Sequence, residues 1–140
     1  MHDCLGVISS DYLPSFDTNE ERFEFISKFM MDKIKNYEDI EINIEGYAYG
    51  AKGTVFHIGE NTGVLKNKLF VNNVKFNTIT PNQVKKLASG KGNADKDVMY
   101  NAFLTETSID LRVALDYDSK NIGSPIGDIV DSYYLCKSLI

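Results

Sequence analysis

The chain has 140 residues, of which 43% are apolar and 25% charged, with a formal net charge of −5. That length suits one domain of ordinary size and that composition a water-soluble globular protein. No apolar run approaches the roughly 20 residues of a membrane span, and none has the pattern of a signal peptide, which sets membrane and secreted classes aside.

Leu5–Ser9 reads as a short strand, followed by a loop around Pro14. Thr18 opens a helix, because Glu21 three residues on completes a capping box. Phe23, Ile26, Phe29, Met30 and Ile34 then recur at helical spacing, as a stripe laid on a sheet. Ile40–Glu45 is a second strand. Gly46–Gly53 is a loop holding Tyr47, Tyr49 and Lys52. A helix starts at Thr54, with Val55, Ile58, Thr62, Leu65 and Leu69 on one face. Gly59 and Gly63 cost this helix roughly 1 kcal/mol each against Ala, which suggests close approach of another backbone.

Lys75–Thr80 is a third strand. Thr80, Pro81 and Gln83 form a strong helix start. Ser89-Gly-Lys-Gly-Asn breaks the chain, and Asn93 is expected to cap the next helix, whose apolar residues include Val98, Ala102 and Phe103. Residues 107–123 are poorly patterned. Ser124-Pro125 starts the last helix, with Ile129, Tyr133, Cys136 and Ile140 near one stripe. Cys4 and Cys136 sit in apolar runs without metal-ligand spacing and read as reduced core thiols of an intracellular protein. The alternation of strand and helix argues for an α/β fold, within one domain covering residues 1–140.

Three carboxylates stand out. Glu45 ends an apolar strand, and Asp128 and Asp131 share one face near the start of the last helix. Acids at a helix N-terminus are commonly plain dipole partners. Asp131, however, lies between Val130 and Tyr133-Tyr134, and a carboxylate in apolar company needs a partner. Converging carboxylates suit a hard divalent cation, Mg²⁺ first. The charge is also uneven. Residues 51–100 carry eight lysines against three acids, whereas residues 1–50 carry four basic and eleven acidic side chains. Such asymmetry fits either a solvated lysine face or one surface that meets phosphate. Lys85, Lys86, Lys91 and Lys96 surround the Gly-Lys-Gly turn, whose backbone N–H groups could also hold a phosphate. The turn lacks the spacer of a nucleotide-binding loop. Tyr47 and Tyr49 either stack on an unpaired base or simply pack. His57 has no second ligand at helical spacing, so zinc is not expected.

These blocks resemble the RuvC-type Holliday-junction resolvases of the RNase H-like superfamily, and among them the bacteriophage branch. Ile44-Glu45 with its aromatic loop is similar to the family's strand-end Ile-Glu. Gln83-Val-Lys and Gly90-Lys-Gly-Asn-Ala-Asp-Lys are similar to its Gln-Val-Lys and Gly-x-Gly-x-Ala-x-Lys segments. Asp128-Ile-Val-Asp131 is similar to its closing Asp-x-x-Asp. The likeness runs from about Leu5 to Leu139.

The resemblance implies an RNase H-like mixed sheet flanked by helices, incomplete at its N-terminus. The family's first two strands and first catalytic Asp have no counterpart here, and neither Asp3 nor Asp11 fills that motif. Tyr133 stands where some members have His. The implied activity is crossover-junction endonuclease action by two-metal hydrolysis. Glu45, Asp128 and Asp131 are then the catalytic ligands of two Mg²⁺, or of Mn²⁺ as substitute. Lys52, Lys85, Lys86, Lys91, Lys96, Tyr47 and Tyr49 face DNA. The implied partners are a four-way junction and a second copy of the chain, through Gly59 and Gly63, with no membrane. The implied place is the cytoplasm, that of the host if phage-encoded. The alternatives are an RNase H-type nuclease on RNA–DNA hybrids and a non-catalytic fragment that binds branched DNA.

Overall fold

The computed structural model describes residues 14–47 and 55–138. The strand expected at Leu5–Ser9, Cys4, Tyr49 and Lys52 fall outside them. The chain forms two compact units, divided between Thr78 and Ile79.

In the first unit, α1 (Asn19–Ile34) starts at the expected capping box: the Thr18 side chain accepts from the Glu21 N–H, and the Glu21 carboxylate reaches back to the cap. Phe23 is buried, and Ile26, Phe29, Met30 and Ile34 are half-buried, so the stripe has the residues expected, but its principal partner is a helix and not the sheet. It packs on α2 (Val55–Val71), where Leu69 is buried and Lys68 reaches Glu24 at 2.7 Å. Ile58 does not join that face; it is exposed. Within this chain, among the described residues, no backbone comes close to the α2 glycines. A Cβ on Gly59 would meet only the Tyr47 ring at 3.8 Å, and one on Gly63 nothing within 4 Å.

Strands β1 (Glu41–Glu45) and β2 (Lys75–Ile79) flank α2 in sequence and pair in a small parallel sheet. A parallel pair needs a crossover of this kind, and α2 supplies it. Asn77 of β2 ties the pair by donating to Glu41 at 2.8 Å and to Asn43 at 3.2 Å.

The second unit is helical. The α3 helix (Pro81–Ser89) begins at the predicted Thr80 box and ends at Gly90, whose φ of 77° suits glycine. The α4 helix (Lys96–Thr107) is capped by Asp95, not Asn93. The turn after Lys91 buries Ala94, which leaves the following Asp to accept the Val98 N–H at 2.9 Å. Residues 107–123 are not featureless: α5 (Leu111–Ala114) sits there, capped by Asp110.

The last helix, α6 (Ile126–Lys137), buries Ile126, Val130 and Tyr134, a stripe offset from the one expected. Cys136 is exposed rather than in the core, and Val98 of α4 is exposed as well. The core gathers Val84, Phe103, Leu111 and the α6 stripe. Tyr134 is wholly buried because its hydroxyl has a partner: Glu106 accepts from it, from Tyr133 and from Lys137. No described helix is long and apolar enough to cross a membrane.

Candidate active site

The offset of the α6 stripe decides what its acids can do. With Ile126, Val130 and Tyr134 turned into the core, Asp128 is exposed while Asp131 is half-buried. Burial, and then the negative charge of Asp128, push the Asp131 carboxyl above the usual aspartate range. Lys96 and Lys85 pull it the other way. Three elements thus contribute to one cluster: α3 gives Lys85, α4 gives Lys96, and α6 gives both aspartates. Lys96 lies along Gly127, where a Cβ would stand 3.8 Å from its Nζ. Ser124 donates to Oδ2 of Asp128 at 2.6 Å.

This donor set fits a hard divalent cation. Two carboxylates repel one another on one helix face, one is partly desolvated, and a cation shared between them would relieve both costs. Within neither unit do three His, Cys, Asp or Glu side chains stand together among the described residues. Glu45 is exposed at the C-terminal end of β1, in the first unit. His57 takes part in surface pairings with Asn19 and Glu60, both at 3.3 Å.

The Gly-Lys-Gly turn holds itself. Ser89 Oγ donates toward the carbonyls of Lys85 and Lys91 and accepts from the Lys91 N–H. Gly92 sits tightly, since a Cβ there would come within 3.2 Å of the Asn82 carbonyl oxygen. With the Lys91 N–H used internally, and Asp95 placing a carboxylate on the α4 N-terminus, the backbone is a poor phosphate cradle. The cationic side chains are better placed. Lys86, Lys91 and Lys96 are exposed and Lys85 is half-buried. Tyr47 packs against α2, its hydroxyl donating to the Gly59 carbonyl at 3.4 Å and its ring under the Lys66 ammonium.

Sequence reasoning missed Ser124, Gly127, Asp110 and Arg112. Only Asp110 carried a readable signal, as a cap-type residue just before Leu111-Arg112.

A βαβ unit followed by a helical unit bearing carboxylates beside lysines makes this an α/β protein. The comparisons with known proteins agree. The family model of the crossover junction endodeoxyribonuclease RuvC matches residues 5–112. That span includes Glu45, Lys85 and Lys96 but ends before α6. A RuvC from Brachyspira hyodysenteriae is 28% identical over 132 residues, covering 86% of this chain and 82% of its own. Among solved structures, Thermus thermophilus RuvC superposes with a TM-score of 0.59 at 17% identity, over 88% of this chain and 71% of its own. The T. thermophilus RuvC in complex with a Holliday junction substrate gives 0.55, also at 17%, over 85% and 68%. The chain belongs to the RuvC family.

Proposed function

We propose that this chain is a structure-selective endonuclease that resolves four-way DNA junctions by hydrolysing a phosphodiester on the branched strand. The observation that carries the reading is the cluster of Asp128 and Asp131 with Lys85 and Lys96, in a RuvC-family chain. Its structural relative from T. thermophilus was captured with a Holliday junction substrate.

Asp128 and Asp131, with Glu45 as the third ligand that the family resemblance implies, would hold Mg²⁺ or Mn²⁺ as a substitute, and a bound cation would supply water activation and charge neutralisation at the leaving oxygen. The chain's own residues do the rest. Lys85 and Lys96 draw a phosphate to the carboxylate pair and offset its negative charge. Lys86 and Lys91 extend that cationic surface along the backbone, which positions DNA without reading its sequence, and Lys52 is a further phosphate contact in this reading. Tyr47 is partly exposed, which leaves its ring able to stack on an unpaired base, and Tyr49 is assigned the same role.

A symmetric junction suits a two-fold dimer. Phe56, Gly63 and Phe70 of α2 lie seven residues apart, hence on one face, and both phenylalanines are at least three-quarters exposed. That apolar face with a bare centre supports self-association. The place of action is the cytoplasm, where chromosomal or phage DNA is processed.

The test is cleavage of four-way junctions beside RNA–DNA hybrids, with and without Mg²⁺. Mg²⁺-dependent nicking at the junction is expected. Preference for the hybrid would make the chain an RNase H-type enzyme, and junction binding without any nicking would make it a branched-DNA binder.

A further inference from the structure

The stretch between α4 and α6 gives Leu111 and Ile122 to the core and, beside that packing, carries a network of polar contacts. The Tyr100 hydroxyl donates to Asp110 Oδ1 at 2.6 Å, and that oxygen also caps α5. The Arg112 guanidinium lies near the rings of Tyr100 and Tyr117, at 5.8 and 5.9 Å. It donates through Nη1 to the Ser119 carbonyl and through Nη2 to that of Lys120 at 2.9 Å. The Tyr117 hydroxyl donates to the Asn121 carbonyl and accepts the Gly123 N–H, each at 3.1 Å. A Cβ on Gly123 would stand 3.0 Å from that hydroxyl, a tight contact. The next residue is Ser124, whose hydroxyl grips Asp128.

Ordering a loop costs on the order of 1–2 kcal/mol per residue, which its core contacts and these hydrogen bonds together offset. This one holds the first turn of α6 in place. It delivers there a hydroxyl that engages one oxygen of Asp128 and leaves Oδ1 for another partner. Partners of this kind, one shell out from a cation, commonly fix the orientation of carboxylate ligands.

We propose that Arg112 and Ser124 are positioning residues for divalent-cation binding: Arg112 holds the loop, and Ser124 holds the Asp128 carboxylate in the orientation that accepts the ion. The proposal rests on the reading of Asp128 as a cation ligand, and the experiment separates the two. Mn²⁺ is titrated into the full chain and into Ser124→Ala, Ser124→Thr, Arg112→Gln and Asp128→Asn, with bound ion followed by electron paramagnetic resonance. Melting temperature and junction affinity without divalent cation are measured on the same samples.

Ser124→Ala and Arg112→Gln are expected to weaken Mn²⁺ binding by roughly tenfold, as loss of such partners commonly does. Cation-free junction affinity stays unchanged, and Ser124→Thr restores the wild-type constant. If Asp128→Asn weakens Mn²⁺ binding but both positioning variants bind it as wild type does, the positioning role is overturned and the ligand assignment stands. If Asp128→Asn itself binds Mn²⁺ normally, both fall. Ser124 is exposed, so its Ala variant carries the test even where Arg112→Gln does not fold.

Discussion

Lys96 rests along the α6 backbone at Gly127: a Cβ built on that glycine would meet Lys96 Nζ at 3.8 Å and Cδ at 3.9 Å. The contact brings a cation from α4 to the helix that carries both aspartates. A methyl group fits at ordinary van der Waals distance, whereas a branched side chain does not. Gly127→Ala is therefore expected to fold with an equal or higher melting temperature, helped by up to about 1 kcal/mol of helix propensity. Gly127→Val is expected to displace Lys96 and to weaken junction binding while the protein remains folded. Melting curves and junction titrations at fixed salt check both.

The lysines should act through charge alone. Lys85→Ala with Lys96→Ala is expected to weaken binding to junctions of every sequence alike. It should also reduce the slope of log affinity against log salt by about 2, one for each lost phosphate contact. An unchanged slope would move the DNA surface away from this cluster.

How far these features could be read from the sequence depended on how local they are. Both Thr capping boxes are set within four residues, and α1 and α3 begin where those residues say. Strands β1 and β2 matched their expected spans closely for a similar reason, as short segments of mixed apolar and polar residues with turns close by. What escaped was decided at a distance. Tyr134 and Cys136 both suit an apolar stripe, and Tyr134 takes the core because Glu106 on another helix accepts its hydroxyl. Asn93 and Asp95 are both good caps, and the burial of Ala94 chooses between them. In the site, the aspartate pair was legible as helical spacing, and its lysines as a run of like charge. The loop that supports the pair was not, because its contacts run through the backbone carbonyls of Ser119, Lys120 and Asn121.

The Glu106 cluster predicts a pH dependence. The Lys137 ammonium, followed by the tyrosine hydroxyls, holds the Glu106 carboxyl below the usual glutamate range despite its partial desolvation. A carboxyl whose pKa is lower in the folded state adds stability above its unfolded value, about 4.3, and that stability is lost as pH falls through the lowered value. Glu106→Gln is therefore expected to melt below the wild type at pH 7. The two should converge as the pH falls through that lowered value. Melting curves across that range test it, and a gap that does not narrow would remove the ionic part of the cluster.

The exposed face of α2 makes a separate prediction. Phe70→Asp should leave the α1–α2 packing intact, because Phe70 is three-quarters exposed while Leu69 beside it is buried. If that face joins two copies, sedimentation velocity should show the wild type as a dimer and the variant shifted to monomer. An identical distribution for both would place self-association elsewhere.

Asp131 offers the sharpest test of the chemistry. Asn has the same shape but cannot carry the charge that Lys96 and Lys85 stabilise and that Asp128 opposes. In the folded protein, Asp131→Asn removes one of two like charges from a half-buried site, so its stability should hold or rise. A ligand group lost from such a site should nevertheless cost cleavage almost entirely, because an amide oxygen is a much weaker donor to a hard cation than a carboxylate. Junction affinity measured without divalent cation should be spared or slightly raised, since the variant repels phosphate less. Cleavage at the wild-type rate by Asp131→Asn, alongside normal junction binding, would take this residue out of the active site.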